Sequence, residues 1–187
     1  MEIYLIRHTS PLVKKGVCYG QADLALHPEL FESEYRAICA KAPVCTRTIY
    51  SSPLQRCLTL AQALSPSVTT DKRLMELNFG DWELKNWKDL PPERLQHWMD
   101  DFVNEQVPGG ESYTALYHRT IEFIEELLLQ KQENAAIVTH AGNIRSIISW
   151  ALDLPLANSF RIKLDYGAVV QLEIHENKQL NQLKSLL

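Results

Sequence analysis

The sequence predicts an α/β fold, a three-layer α/β/α arrangement with helices on both faces of a mostly parallel sheet. Two observations point to it. Short apolar runs fit for buried strands recur along the 187 residues, and stretches at helical spacing separate them. No internal repeat, low-complexity tract or Gly/Ser linker divides the chain, so one domain over residues 1–187 is expected.

Ile3 to Ile6 is the first buried strand, closed abruptly by the polar pair Arg7-His8. An irregular stretch containing Gly16 and Gly20 follows, and Pro28 opens a helix to about Ala40. Thr48 to Tyr50 reads as a strand ending at Ser51-Ser52. Pro53 suits the first turn of a helix to about Leu64, with Leu54, Cys57, Leu58 and Ala61 on one face. Val68 to Thr70 fits a third strand. Pro91-Pro92 starts a helix through about Val103, and Pro108-Gly109-Gly110 breaks the chain before an amphipathic stretch from Ser112 to Lys131. Ala135 to Thr139 is again a buried strand, ended by His140. Ala141-Gly142-Asn143 reads as a turn before a helical run from Ile144 to Leu152. Phe160 to Leu164 and Val169 to Ile174, separated by Asp165-Tyr166-Gly167, read as a closing hairpin, with room for a last strand after Asn177.

A hydrophobic content of 45% and a charged content of 22% match an ordinary globular protein that needs no disulfide or structural metal. The net charge of −4 argues against a nucleic-acid or anionic-lipid footprint. The N-terminus has no basic region followed by a long apolar one, and no apolar run is long enough to span a bilayer, so a cytoplasmic protein without a membrane partner is expected. Cys18, Cys39, Cys45 and Cys57 show no metal-site spacing and read as reduced, small buried side chains. Periodicity sets no oligomeric state.

In an open α/β sheet, ligands bind beyond the carboxyl ends of the strands. His8, Ser51-Ser52 and His140 each stand at such an end. Arg7 offers a guanidinium fork for phosphate beside an imidazole that can attack it, although an Arg-His pair alone is also a common surface feature. Arg56 sits one turn inside a helix after a strand, where it either reaches the same crevice or is solvated. His140 precedes backbone amides that favour an anion, or is a satisfied core histidine. Glu76, a carboxylate among apolar neighbours, suits proton donation, with Glu83 as its competitor.

The segments Leu5-Ile6-Arg7-His8-Thr9, Ser52-Pro53-Leu54-Gln55-Arg56-Cys57, Glu76 with Phe79-Gly80-Asp81-Trp82-Glu83, and Val138-Thr139-His140-Ala141-Gly142 resemble, in order, four motifs of the histidine phosphatase superfamily, with its phosphoglycerate-mutase-like fold. The resemblance implies that His8 is the nucleophile and Glu76 the general acid and base. It implies that Arg7, Arg56 and His140, with Ala141 beside them, bind the phosphoryl oxygens. Thr9 and Ala141 depart from the glycines usual there, the second adding only a methyl group beside the anion site. Gly16 to Leu26 looks most like the α-ribazole phosphatases of cobalamin nucleotide-loop biosynthesis, which implies that Gln21 reaches a phosphoryl oxygen or the ribose. The chain has no room for the long insertion of mutases, which favours water as acceptor.

The expected chemistry is a phosphohistidine route on a small phosphomonoester. Arg7, Arg56 and a protonated His140 take the electrostatic role that a metal often fills, so neither metal nor cofactor is expected. Two alternatives stay open: a sugar-phosphate or broad-specificity phosphatase of the same fold, and a phosphate-binding protein without turnover. The loops around Cys18-Tyr19 and Asn78 to Pro92 are placed to contact the leaving group. Trp82, Trp87 and Trp98 are available there for stacking or for core packing.

Overall fold

The computed structural model describes residues 1–42 and 48–187. Its six strands are β1 (Glu2–Arg7), β2 (Thr48–Ser51), β3 (Val68–Thr70), β4 (Asn134–Thr139), β5 (Val169–Glu173) and β6 (Gln182–Leu186), in the order β3-β2-β4-β1-β5-β6. The first four of that order run parallel, and β5 and β6 add an antiparallel edge.

Alternation along β1 shows how the sheet separates two cores. Ile3 and Leu5 join Ile137, Phe123, Ile124 and Ile147 under α4 (Tyr113–Leu129) and α5 (Ala141–Ala151). Tyr4 and Ile6 join Ile38, Ile49 and Leu60 under α1 (Pro28–Lys41) and α2 (Gln55–Leu64). The expected three-layer arrangement is therefore present, because a strand buried on both faces needs a helix layer on each. The parallel register pairs Arg7 with Thr139 and Ser51 with Val138. Past the last pairs, the His8 N–H donates to the Thr139 carbonyl at 3.1 Å, and the Ser52 N–H to that of Val138 at 3.0 Å. The three strands thus end level.

Several elements differ from expectation. Pro53 stands outside α2, whose N-cap is Leu54. The Ser52 hydroxyl accepts the Leu54 N–H at 3.3 Å and shapes the turn that contains Pro53. The helix expected to reach Val103, here α3 (Pro92–Asp100), ends at Asp100, since Asp101 leaves helical geometry (φ −142°, ψ 54°) and its carboxylate accepts the Asn104 side-chain N–H at 2.9 Å. Ala141 to Asn143 form the first turn of α5 rather than a separate turn, because His140 alone, in extended conformation, joins β4 to the helix.

Phe160 to Leu164 is not a strand. Leu156–Arg161 is a 3-10 helical turn, and the carbonyls of Ile162 and Leu164 accept from Arg145 Nε and Arg7 Nη1, at 3.1 and 2.6 Å, instead of from a ladder. The hairpin is formed by β5 and β6. Cys18 and Cys57 are buried as expected, but Cys39 is exposed on α1, and Cys45 lies outside the described residues. Among the described residues, no helix is long and apolar enough to cross a membrane.

Ile137 lies at the centre of β4, fully buried between β1 and β2. Ile137→Ala is expected to lower unfolding stability by about 2–5 kcal/mol, read from urea denaturation.

Candidate active site

The level strand ends gather the motif residues into one crevice. The His8 and His140 rings stand edge to face, with centroids 5.1 Å apart. Both side chains are buried. The His8 Nδ1 atom lies 2.7 Å from the Thr9 carbonyl, which can only accept, so Nδ1 carries the proton. Burial, and then the nearby Arg56 and Arg7 guanidinium groups, push the His8 pKa well below its ordinary value. The ring is thus neutral near pH 7, and its lone pair is on Nε2.

Two guanidinium groups lie near it, and neither makes an ion pair among the described residues. Arg56 is fully buried; its Nη1 donates to the Ala22 carbonyl at 2.9 Å and its Nη2 to that of Gly20. Arg7 donates to Leu164 and lies 4.1 Å from the centre of the Tyr166 ring. The Nε atoms of both arginines are buried without a partner, as is the Thr9 hydroxyl. Buried unpaired donors are rare in folded proteins, and an anion is the partner that guanidinium groups suit best.

His140 Nε2 contacts the Ser52 hydroxyl at 2.9 Å and the Cys57 sulfur at 3.4 Å. Its pKa is also pushed well down, by burial first and then by Arg56, His8, Arg7 and Arg119. Desolvation and three guanidinium groups thus favour the neutral His140 ring over the protonated one.

Glu76 and Glu83 separate cleanly. The Glu83 carboxylate accepts the backbone N–H groups of Gly20, Gln21, Ala22 and Phe79, at 2.8–3.1 Å, and so builds the loop whose carbonyls hold Arg56. Glu76 lines the hollow that His8 and Arg7 also line, and its oxygens accept the N–H groups of Leu77 at 2.9 Å and Gly142 at 3.2 Å. Gly142 permits that approach, since a Cβ there would stand 2.2 Å from Glu76 Oε1. The Gln21 side chain donates to the Glu76 carbonyl at 3.1 Å, so it braces the acid's backbone. Arg119 does likewise, with Nη2 on that carbonyl at 2.9 Å and Nη1 on those of Arg73 and Met75.

The hollow is about 220 Å³, and Ala141, Tyr19, Tyr113, Trp87, Arg145 and Phe160 complete its walls. Arg145, Tyr166 and Phe160 escaped sequence reasoning: one follows His140 by five residues on α5, and the other two fall in a stretch read as a hairpin. A larger hollow, about 550 Å³, lies at the opposite ends of the strands around Met1, Trp150 and His175, away from these groups.

Residues 3–185 match the Histidine phosphatase superfamily (branch 1). The chain is 26% identical over 200 residues to the adenosylcobalamin/alpha-ribazole phosphatase of Salmonella typhimurium, covering 94% of this chain and 92% of that protein. It is 24% identical over 192 residues to phosphoserine phosphatase 1 of Hydrogenobacter thermophilus, covering 96% and 90%. The crystal structure of the alpha-ribazole phosphatase from Shigella flexneri superposes with a TM-score of 0.86 at 24% identity, over 100% of this chain and 96% of that one, and shares its fold.

The two depressed histidines make stability pH-dependent. A His whose pKa is lower in the folded chain leaves stability intact above its unfolded value, near 6.5, and removes stability as pH falls below it. Wild type is expected to lose stability between pH 6.5 and 5 more steeply than His8→Gln, measured by urea denaturation at each pH.

Proposed function

The chain belongs to the histidine phosphatase superfamily, and from that membership we propose that it hydrolyses phosphomonoesters through a phosphohistidine formed at His8. That it is a phosphoric monoester hydrolase follows from the family. The observation that carries the mechanism is the His8 ring, neutral and held by its Nδ1–H on the Thr9 carbonyl, between two arginines with unpaired donors.

The His8 Nε2 lone pair attacks phosphorus, and the bond to the leaving oxygen breaks as protonated Glu76 gives that oxygen its proton. Water then attacks the phosphohistidine, Glu76 takes the water's proton, and the N–P bond breaks to release phosphate. Arg7 and Arg56 offer preorganised donors to the transferring oxygens, as does the Ala141 N–H at the start of α5. His140 enters as a neutral donor or gains a proton once a dianion stands beside it, because the added charge raises its pKa.

For substrate we propose α-ribazole 5′-phosphate, which would place the chain in cobalamin nucleotide-loop synthesis. Support comes from the Gly16 to Leu26 segment and from relatives named for that activity. A second reading, a phosphatase of small phosphomonoesters, is favoured by the 220 Å³ of the hollow beside His8 and by the relative named phosphoserine phosphatase 1.

Phosphate release from α-ribazole 5′-phosphate in excess EDTA is expected to exceed that from phosphoserine, sugar phosphates and nucleoside monophosphates. His8→Ala is expected to fall to background on all of them and to trap no acid-labile phosphoryl label; wild-type turnover in it would refute the route. Glu76→Gln should lose roughly 10²–10⁴-fold with alkyl phosphates and much less with an activated aryl phosphate, whose leaving group needs no proton. Equal losses on both would remove Glu76 from the acid role.

A further inference from the structure

The hollow beside His8 is smaller than the roughly 300–1,000 Å³ that encloses a drug-sized ligand. A second hollow of about 460 Å³ adjoins it and shares Val17, Tyr19 and Trp87 with it. Tyr19 and Tyr166, whose hydroxyls meet at 2.5 Å, stand on the boundary: both line the outer hollow, Tyr19 lines the inner one, and the Tyr166 ring lies 5.6 Å from that of His8. A ligand with its phosphoryl group at His8 and more bulk than the inner hollow holds must pass Tyr19 into the outer one.

Trp87 is the one tryptophan that lines both hollows. It packs nearly parallel to Trp98, at 28° with centroids 6.1 Å apart, and edge-on to Phe79 and Trp82. Its backbone is tied as well: the Trp87 N–H donates to the Gly16 carbonyl at 2.9 Å, and Val17 pairs with Asn86. Gly16 has φ +87°, a conformation that disfavours any side chain, so the loop turns under the tryptophan there. The indole is thus held before a ligand arrives, which lowers the ordering cost of stacking on it. Lys14 and Lys15, exposed on the outer wall, make no ion pair among the described residues and leave that rim positive.

We propose that the outer hollow is the leaving-group subsite, and that Trp87 selects substrates there by stacking on a flat heteroaromatic base carried by the sugar phosphate. The inference rests on the α-ribazole reading and deepens it: the base would be the element that distinguishes the substrate from a bare pentose phosphate.

The test compares kcat/KM for α-ribazole 5′-phosphate and ribose 5-phosphate, which share the reacting end and differ by the base. Wild type is expected to prefer the first through a lower KM. Trp87→Leu should reduce that preference by roughly tenfold or more, and Trp87→Phe should restore most of it, whereas a merely structural role would lower both substrates alike. Val13→Trp, which fills the outer hollow and leaves every side chain of the aromatic cluster unchanged, should erode the same preference and serves if Trp87→Leu does not fold. A wild-type preference that survives Trp87→Leu or Val13→Trp unchanged would overturn the subsite while leaving α-ribazole as substrate. A wild type indifferent to the base would overturn both.

Discussion

The register of β1 against β4 is the constraint on which the site depends. With Arg7 opposite Thr139, the next residue on each strand is a histidine, and the His8 N–H closes the ladder on the Thr139 carbonyl. A slip of one residue would turn either Leu5 or Ile137 toward the wrong core and separate the two rings at once. Burial of both faces of these strands therefore enforces the geometry of the crevice. The same logic runs through β2, whose pairing with β4 brings Ser52 to hydrogen-bonding distance of His140.

Around that frame the charges are arranged unevenly. Both nearby carboxylates accept backbone N–H groups: Glu83 holds the 20–22 loop, and Glu76 is held by Leu77 and Gly142. Arg7 and Arg56 are neutralised by neither and rest on main-chain carbonyls and aromatic rings. Burying guanidinium groups without acids is costly, and their charge adds to the burial that chiefly lowers the pKa of both histidines. On the reaction proposed above, a phosphoryl dianion between them would offset much of that cost. Binding energy would then be concentrated at the transferring group.

Most of this was legible in the sequence wherever one residue type met one periodicity. Short apolar runs ending in Arg7-His8 and Thr139-His140 marked both strand ends, and Arg56, in the first turn of α2, marked the third contributor. The residues alone did not separate Glu76 from Glu83, and it was the family resemblance that chose Glu76; in the structure the partners of the oxygens differ. Phe160 to Leu164 misled for a related reason: alternation suits a strand, but its carbonyls accept from Arg7 and Arg145, long-range partners that no local pattern announces. The charge state of His140 also escaped, because it depends on guanidinium groups that come from distant parts of the chain.

Chemistry and selectivity occupy different kinds of structure here. The groups assigned to phosphoryl transfer stand on strand ends and helix starts, braced by the sheet and by the Glu83 and Arg119 networks, so their spacing is hard to change without unfolding. The walls of the outer hollow come from the 11–19 loop, the Trp87 turn and Tyr166, joined by a few loop-to-loop contacts. Loops of this kind tolerate substitution at little cost in stability. A fold so divided keeps one reaction while its leaving-group specificity varies, and its fold and motifs therefore identify the reaction sooner than the substrate.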